Sequence, residues 1–199
     1  MFRPGKLIPQ SFYRRDVDLV ARELLGQLLV RDAVILRITE VEAYGGPEDS
    51  ASHVRHGRTG RNAVMWGEGG HAYLYLCYGL HWMLNVVTGE AGQGAAILIR
   101  ACEPLAGMDT LLARRGMAAV KPALLAGPGR VAQGLDLDRS FNGKPLFRKG
   151  GLELREGEPP QGIVHGPRVG IPFAAQEDQQ ALRRFALAGT PWISTPKPG

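Results

Sequence analysis

Apolar and polar positions alternate most clearly over Ile38–Tyr44, where a two-residue period puts Glu40, Glu42 and Tyr44 on one face of a strand and Thr39, Val41 and Ala43 on the other. That period predicts paired strands over 27–31 and 33–44, turning at Arg31-Asp32. Ahead of them Val17, Leu19, Val20, Leu24 and Leu25 recur at helical spacing. Ser11 can cap and Gly26 can stop that run, so a helix is expected over 11–26. Two aromatic and aliphatic runs hinged at Gly79 predict a β-hairpin over 71–88 with Tyr78 at its tip. Further on, the pattern predicts strands over 95–101, 152–154 and 167–171, helices over 105–115, 129–134 and 174–185, and a frayed tail at 195–199. The Gly- and Arg-rich stretch 53–70 and most of 141–162 read as loop. There are no repeats and no linker, so the chain is expected to form one mixed α+β domain over 1–199.

Composition narrows the class. A length of 199 residues with 44% hydrophobic content supports one domain with a substantial core. The formal charge of +5 comes from 24 basic against 19 acidic residues, and the basic ones are 19 arginines and only 5 lysines. Such an excess suits planar, bidentate contacts to phosphate, and GC-rich codon usage would produce it equally well. Cys77 and Cys102 lie in apolar runs without metal-ligand spacing and read as free thiols in a reducing compartment. The N-terminus lacks the apolar core of a signal peptide, and no run approaches the ~20 apolar residues of a membrane span. The expectation is a soluble, cytoplasmic monomer with no membrane contact.

Candidate chemistry centres on the carboxylates. Two of them one residue apart on one strand face repel, and on a partly desolvated face one can be held as a base. Glu40, Glu42, Glu48, Asp49, His53 and His56 also share a short window that could serve a metal-dependent nuclease, although no His-Glu-x-x-His, cysteine pair or Asp-x-Asp repeat accompanies them. Tyr44, Tyr73, Tyr75, Tyr78, Trp66 and Trp82 gather with His53, His71 and His81 among Arg55, Arg58, Arg61 and Arg100. Interleaved aromatics and arginines suit stacking on bases while phosphates are gripped. Tyr73 and Trp82 read as core rings; Tyr78 at a hairpin tip reads as a wedge of the kind that unstacks duplexes. Gly127-Pro128-Gly129-Arg130 reads as an anion-binding helix start.

Several runs carry a resemblance: Glu40–Tyr44, Ala51-Ser-His53, Arg61-Asn62, Gly70–Tyr75, Tyr78-Gly79, His81, Asn85-Val-Val and Ile99–Pro104, then Gly127–Arg130, Pro167–Ile171 and Gly189–Trp192. In order and over nearly the whole chain, they resemble the alkyladenine (3-methyladenine) DNA glycosylase family. The resemblance implies a single compact α+β domain with a curved antiparallel sheet and a protruding β-hairpin that enters the minor groove. It implies a monofunctional glycosylase of base excision repair acting on double-stranded DNA that contains damaged purines, with no metal or cofactor. A non-catalytic damaged-DNA binding protein and the metal-dependent nuclease are the alternatives.

Carried onto this chain, the resemblance makes Glu42 the general base for the attacking water and Arg100 its partner. Tyr44 and His53 stack on one face of the flipped base and Tyr75 on the other. Asn85 crowds the position of a guanine 2-amino group, and the main chain of Val169 walls the base edge. Tyr78 intercalates, and Arg58, Arg61, His81 and Arg130 contact DNA. Glu40 takes a lesser part, so Glu40→Gln is expected to cost much less than Glu42→Gln. The chemistry agrees: tyrosine faces attract a cationic alkylpurine, and such a base is already a good leaving group. Trp66 departs from the family's Phe and Glu68-Gly69 from its proline, which puts substrate breadth and the rigidity of that loop in question.

Overall fold

The computed structural model describes residues 3–198. Its centre is β2 (Val34–Tyr44), which pairs antiparallel with β1 (Leu28–Arg31), β5 (Ala95–Ala106) and, over Glu40–Glu42, β8 (Arg184–Leu187). The sheet runs β3 (Ala72–Cys77), β4 (His81–Thr88), β5, β2, β1, β6 (Leu152–Arg155), and β7 (Ile163–Gly166) joins through β8. Every pairing is antiparallel, and the β2–β5 register shifts around Ile35 and Glu40. Bulges of this kind bend a strand and increase its twist. The sheet curls accordingly, and the expected α+β domain with a curved antiparallel sheet and a projecting β3–β4 hairpin is what the chain forms.

Alternation divides the sheet into two faces. Val41, Ala43, Ala72, Leu74, Leu84, Val86, Ile97 and Ile99 enter the main core, where α2 (Val17–Leu24) and α4 (Pro128–Gly134) pack. Their neighbours in sequence, Glu42, Tyr73, Asn85 and Leu98, face the other way and form one cross-strand row. Thr39, on a bulged stretch, donates its hydroxyl to the Trp192 carbonyl at 2.6 Å rather than joining the core.

The structure corrects several expected elements. The helix over 11–26 is broken into α1 (Gln10–Tyr13) and α2, because the Asp16 carboxylate caps α2 by accepting from the N–H groups of Asp18 and Leu19. The strand over 95–101 continues to Ala106, and Gly107 in a left-handed conformation turns it into α3 (Met108–Arg115). The strand expected over 167–171 lies earlier, as β7, and residues 167–171 are loop. The helix expected over 174–185 shrinks to α5 (Gln176–Gln180) and gives way to β8. Pairing with both β2 and β7 overrides the helical propensity of Ala-Leu-Arg-Arg. The chain is tied down as far as Pro196, whose carbonyl accepts from Arg184; Gly199 of the expected tail lies outside the described residues.

At the hairpin tip, Tyr78 and Gly79 both adopt positive φ, 51° and 71°, and Leu80 N–H closes the turn on the Cys77 carbonyl at 3.0 Å. That is the twist-matched turn of tight hairpins, in which a non-glycine residue is strained by ~1–2 kcal/mol. Tyr78 occupies the strained position and is 92% exposed. No packing supports it, so the strain is not offset by burial.

Candidate active site

A cavity of about 420 Å³ opens over the curled face, lined by Tyr44, His53, Tyr73, Tyr75, Asn85, Arg100 and Val169. Beneath it lie the two carboxylates, both fully buried. Cations offset their repulsion. Arg100 spans the pair, with Nε 3.1 Å from Glu40 Oε1 and Nη1 3.2 Å from Glu42 Oε2. Arg184 adds a second guanidinium to Glu40 at 2.6 Å. Burial disfavours the Arg100 cation, but Glu42 and Glu40 outweigh that and hold it protonated.

The partners of the two acids separate their roles. Glu40 is saturated, accepting also from the N–H and Oγ of Ser194 at 2.6 and 2.9 Å. Glu42 accepts from the Val169 N–H at 2.7 Å through Oε1 and from the Tyr44 hydroxyl at 2.8 Å through Oε2. With Arg100 this fills about three of the four lone-pair positions of a carboxylate and leaves one for a further donor. Burial, then the adjacent Glu42 charge, keeps Tyr44 a neutral phenol and therefore a donor.

The aromatic wall is equally defined. The His53 and Tyr75 rings stand edge to face with centroids 4.4 Å apart at 74°, and Tyr73 lies 5.7 Å from Tyr75. His53 Nδ1 sits 3.0 Å from the Tyr73 hydroxyl, and its carbonyl accepts from Asn62 Nδ2 at 2.9 Å. Burial first, then Arg61 and Arg55, lowers the His53 pKa to about 4, so its ring is neutral in ordinary conditions. A base stacked between His53 and Tyr75 needs a gap of roughly 7 Å, two van der Waals spacings of about 3.5 Å. At 4.4 Å the two rings touch each other, so the structure holds no such gap between them. Asn85 is pinned, with Nδ2 donating to the Tyr73 carbonyl at 3.1 Å.

This constellation coincides with a match to known proteins. The family model described as methylpurine-DNA glycosylase covers residues 11–191. The chain belongs to the methylpurine-DNA glycosylase family. A Nitrosococcus oceani protein named "Putative 3-methyladenine DNA glycosylase" is 55% identical over 188 residues, 94% of this chain and 93% of that protein. The Arabidopsis thaliana DNA-3-methyladenine glycosylase is 54% identical over 193 residues, 96% of this chain and 76% of that protein. A Methanocella arvoryzae relative is 40% identical over 199 residues, 97% of this chain and 98% of that protein.

In this methylpurine-DNA glycosylase family member the remaining residues singled out in the sequence lie around the rim. Arg61 lines the cavity, and Tyr78 overhangs it from the hairpin tip. His81 and Arg130 border an adjoining hollow of about 490 Å³ that shares Met83, Arg100 and Pro128 with the main cavity. Arg58 is exposed on the loop and is not among the lining residues. Tyr73, expected as a core ring, is buried in a smaller core cluster with Val54, Met65, Val87 and Ala96 and also lines the cavity, and Trp82 packs against the main core. The acidic window is not drawn together as a metal site: among the described residues no cluster of three or more His, Cys, Asp or Glu could hold an ion. Asp49 is instead clamped by Arg168.

Arg168 is the residue the sequence reading missed. It donates from Nη1 and Nη2 to Asp49 at 2.5 and 3.0 Å and from Nη1 to the Ala43 carbonyl at 2.9 Å, and its guanidinium carbon lies 4.8 Å from the Tyr44 ring centre. It therefore fixes both the Tyr44 ring and the start of the loop whose next N–H reaches Glu42. Ser194 and Arg184, which complete the Glu40 cage, were missed likewise. The Glu68-Gly69 departure leaves the loop tied: Gly69 N–H donates to the Gly89 carbonyl at 3.0 Å, Glu68 accepts from Gln10 at 3.0 Å, and a Cβ at Gly69 would meet the Tyr13 carbonyl oxygen at 2.6 Å. Trp66 packs behind the pocket with Tyr73, Tyr75 and Met65.

Proposed function

We propose that this chain is a monofunctional DNA glycosylase that hydrolyses the N-glycosidic bond of damaged purines flipped out of double-stranded DNA, 3-methyladenine first and hypoxanthine or ethenoadenine at the same site. The observation that carries the reading is a caged carboxylate, Glu42, under a purine-sized cavity walled by Tyr44, His53 and Tyr75. An extruded base recovers its lost stacking on those rings. The glycosidic bond then breaks with its electron pair going to the base, and Glu42 stabilises the cationic sugar left at C1′. A water held by Glu42 and Arg100 adds to C1′ and gives its proton to the carboxylate. Glu42 has no exposed surface. The lone-pair position that Val169, Tyr44 and Arg100 leave open on Glu42 accepts from that water.

Lyase chemistry would need an amine to form a Schiff base. Lys6, Lys121, Lys144, Lys149 and Lys197 are all exposed and none lines the cavity, so the product is an intact abasic strand. The protein acts as a monomer, and two free cysteines suit a reducing cytoplasm. The test is a gel assay on duplexes that each carry one defined lesion. Cleavage only after heat or alkali supports the reading; no release from any lesion, or nicking without treatment, overturns it.

Two further outcomes follow from the walls. Asn85 crowds the purine 2-position in a rotamer fixed by the Tyr73 carbonyl, so Asn85→Ser should gain release of guanine or its 2-amino lesions while adenine lesions are still cut. Unchanged exclusion of guanine would assign that task to another group. Tyr78→Ser should lose single-turnover rate most for hypoxanthine in a well-paired context and least in a mispaired one, because unpairing costs a few kcal/mol only in the first. At 92% exposure the substitution should leave the melting temperature unchanged. A loss independent of pairing, with a lowered melting temperature, would remove the wedge role.

A further inference from the structure

The charge of the cavity does not come from its floor. Two carboxylates, Glu40 and Glu42, meet two guanidiniums, Arg100 and Arg184, and cancel. Arg168 is likewise matched by Asp49. Arg61 is different. It lines the cavity, its guanidinium carbon lies 5.6 Å from the centre of the Tyr75 ring, and Nη2 donates to the Leu76 carbonyl at 3.3 Å. Among the described residues no carboxylate pairs with it. Its field reaches the aromatic wall: after burial it is the next cause that lowers the pKa of His53, and it opposes the rise that burial imposes on Tyr73, Tyr75 and Cys77.

This has opposite consequences for two classes of base. A purine alkylated on a ring nitrogen carries a formal positive charge and would draw on the electron-rich face of Tyr75. Arg61 already draws on that ring and repels a second cation from it. A neutral base, deaminated or etheno-bridged, stacks on the same ring without that repulsion. Resting on the glycosylase reading above, we infer that Arg61 is a specificity-determining residue that shifts the pocket's preference from cationic toward neutral damaged purines. This goes beyond a grip on the phosphate backbone, which would strengthen binding of every duplex alike.

The test uses the full chain and two probes that differ in charge but not in shape: duplexes carrying 7-methyladenine or its neutral isostere 7-methyl-7-deazaadenine, both on 2′-fluoro sugars that resist cleavage. Affinities are measured against the undamaged duplex at fixed salt. Arg61→Gln, which keeps a donor for the Leu76 carbonyl, should move the cationic-to-neutral affinity ratio toward the cationic probe by about three- to tenfold. That is the range for a unit charge some 6–8 Å away in a partly exposed site. Arg61→Lys should keep the ratio within about twofold of the parent, because it keeps the charge. If Arg61→Gln weakens both probes and the undamaged duplex equally, Arg61 is a backbone contact and the inference falls alone. If the parent protein binds neither probe better than undamaged DNA, the glycosylase reading falls as well.

Discussion

Glu42→Gln should abolish excision by two or more orders of magnitude in single-turnover assays while lesion-containing duplex is still bound. The substitution keeps the size of the side chain and one carbonyl oxygen to accept from the Val169 N–H. It removes the negative charge that faces the developing sugar cation and the basic oxygen that takes the proton from water, a role worth typically 10²–10⁴-fold in rate. It also turns an amide N–H₂ or a weakened acceptor toward Arg100, which retains Glu40 as its partner. Fold and stacking walls therefore survive, and binding reports on them separately. The ratio of bound to cleaved lesion decides the matter. Excision within tenfold of the parent would show that another group holds the water; parallel loss of binding and excision would place Glu42 in the architecture of the pocket instead of in its chemistry.

The place of Glu42 beside Tyr44 was legible in the sequence because it rests on a local rule, whereas its part as the base came from the resemblance. Once Ile38–Tyr44 is a strand, a two-residue period must put Glu42 and Tyr44 on one face, and the hydroxyl-to-carboxylate contact follows. The hairpin rule did the same for Tyr78, whose place at the tip depends on the turn at Gly79; the place of Asn85 came from the resemblance. What could not be read locally are the contacts between distant segments. Arg168 meets Asp49 across 119 positions, and Ser194 meets Glu40 across 154. Nothing in the residues around either member signals its partner. The same limit accounts for β8: Ala-Leu-Arg-Arg-Phe-Ala-Leu has the spacing of a helix, and becomes a strand because Arg184 opposes Glu42 and Phe185 opposes Val41 on β2. The strand and the cage are one feature, since that pairing delivers Arg184 to Glu40. To the lesser part in the chemistry expected of Glu40 the structure adds a structural one, as the shared acceptor of Arg100, Arg184 and Ser194. That part lies in partners that the sequence does not place beside it.

Glu40→Ala should therefore be the most destabilising substitution in the site. The carboxylate has no exposed surface and is the shared acceptor for Arg100 Nε, Arg184 Nε, and the N–H and Oγ of Ser194. Its removal leaves Arg184, 2% exposed, and Arg100, 6% exposed, as neighbouring buried cations, of which Arg100 keeps Glu42 as a partner and Arg184 keeps only backbone carbonyls. Breaking one side of a buried ion pair costs ~3–5 kcal/mol, and in a domain of this size each kcal/mol lowers the melting temperature by about 2–4 °C. A fall of at least about 6 °C is expected, with excision at low temperature reduced as Arg100 loses the anchor that aims it at Glu42. A second substitution separates the charge effect from simple loss of volume. Arg184→Met in the Glu40→Ala background removes one of the stranded cations, so the double variant should melt above Glu40→Ala alone, a coupling that a packing defect would not produce. If Glu40→Ala melts within about 2 °C of the parent, or if the second substitution lowers the melting temperature further by its full single-variant cost, Glu40 does not carry the cage, and the aim of Arg100 is set by Glu42 alone.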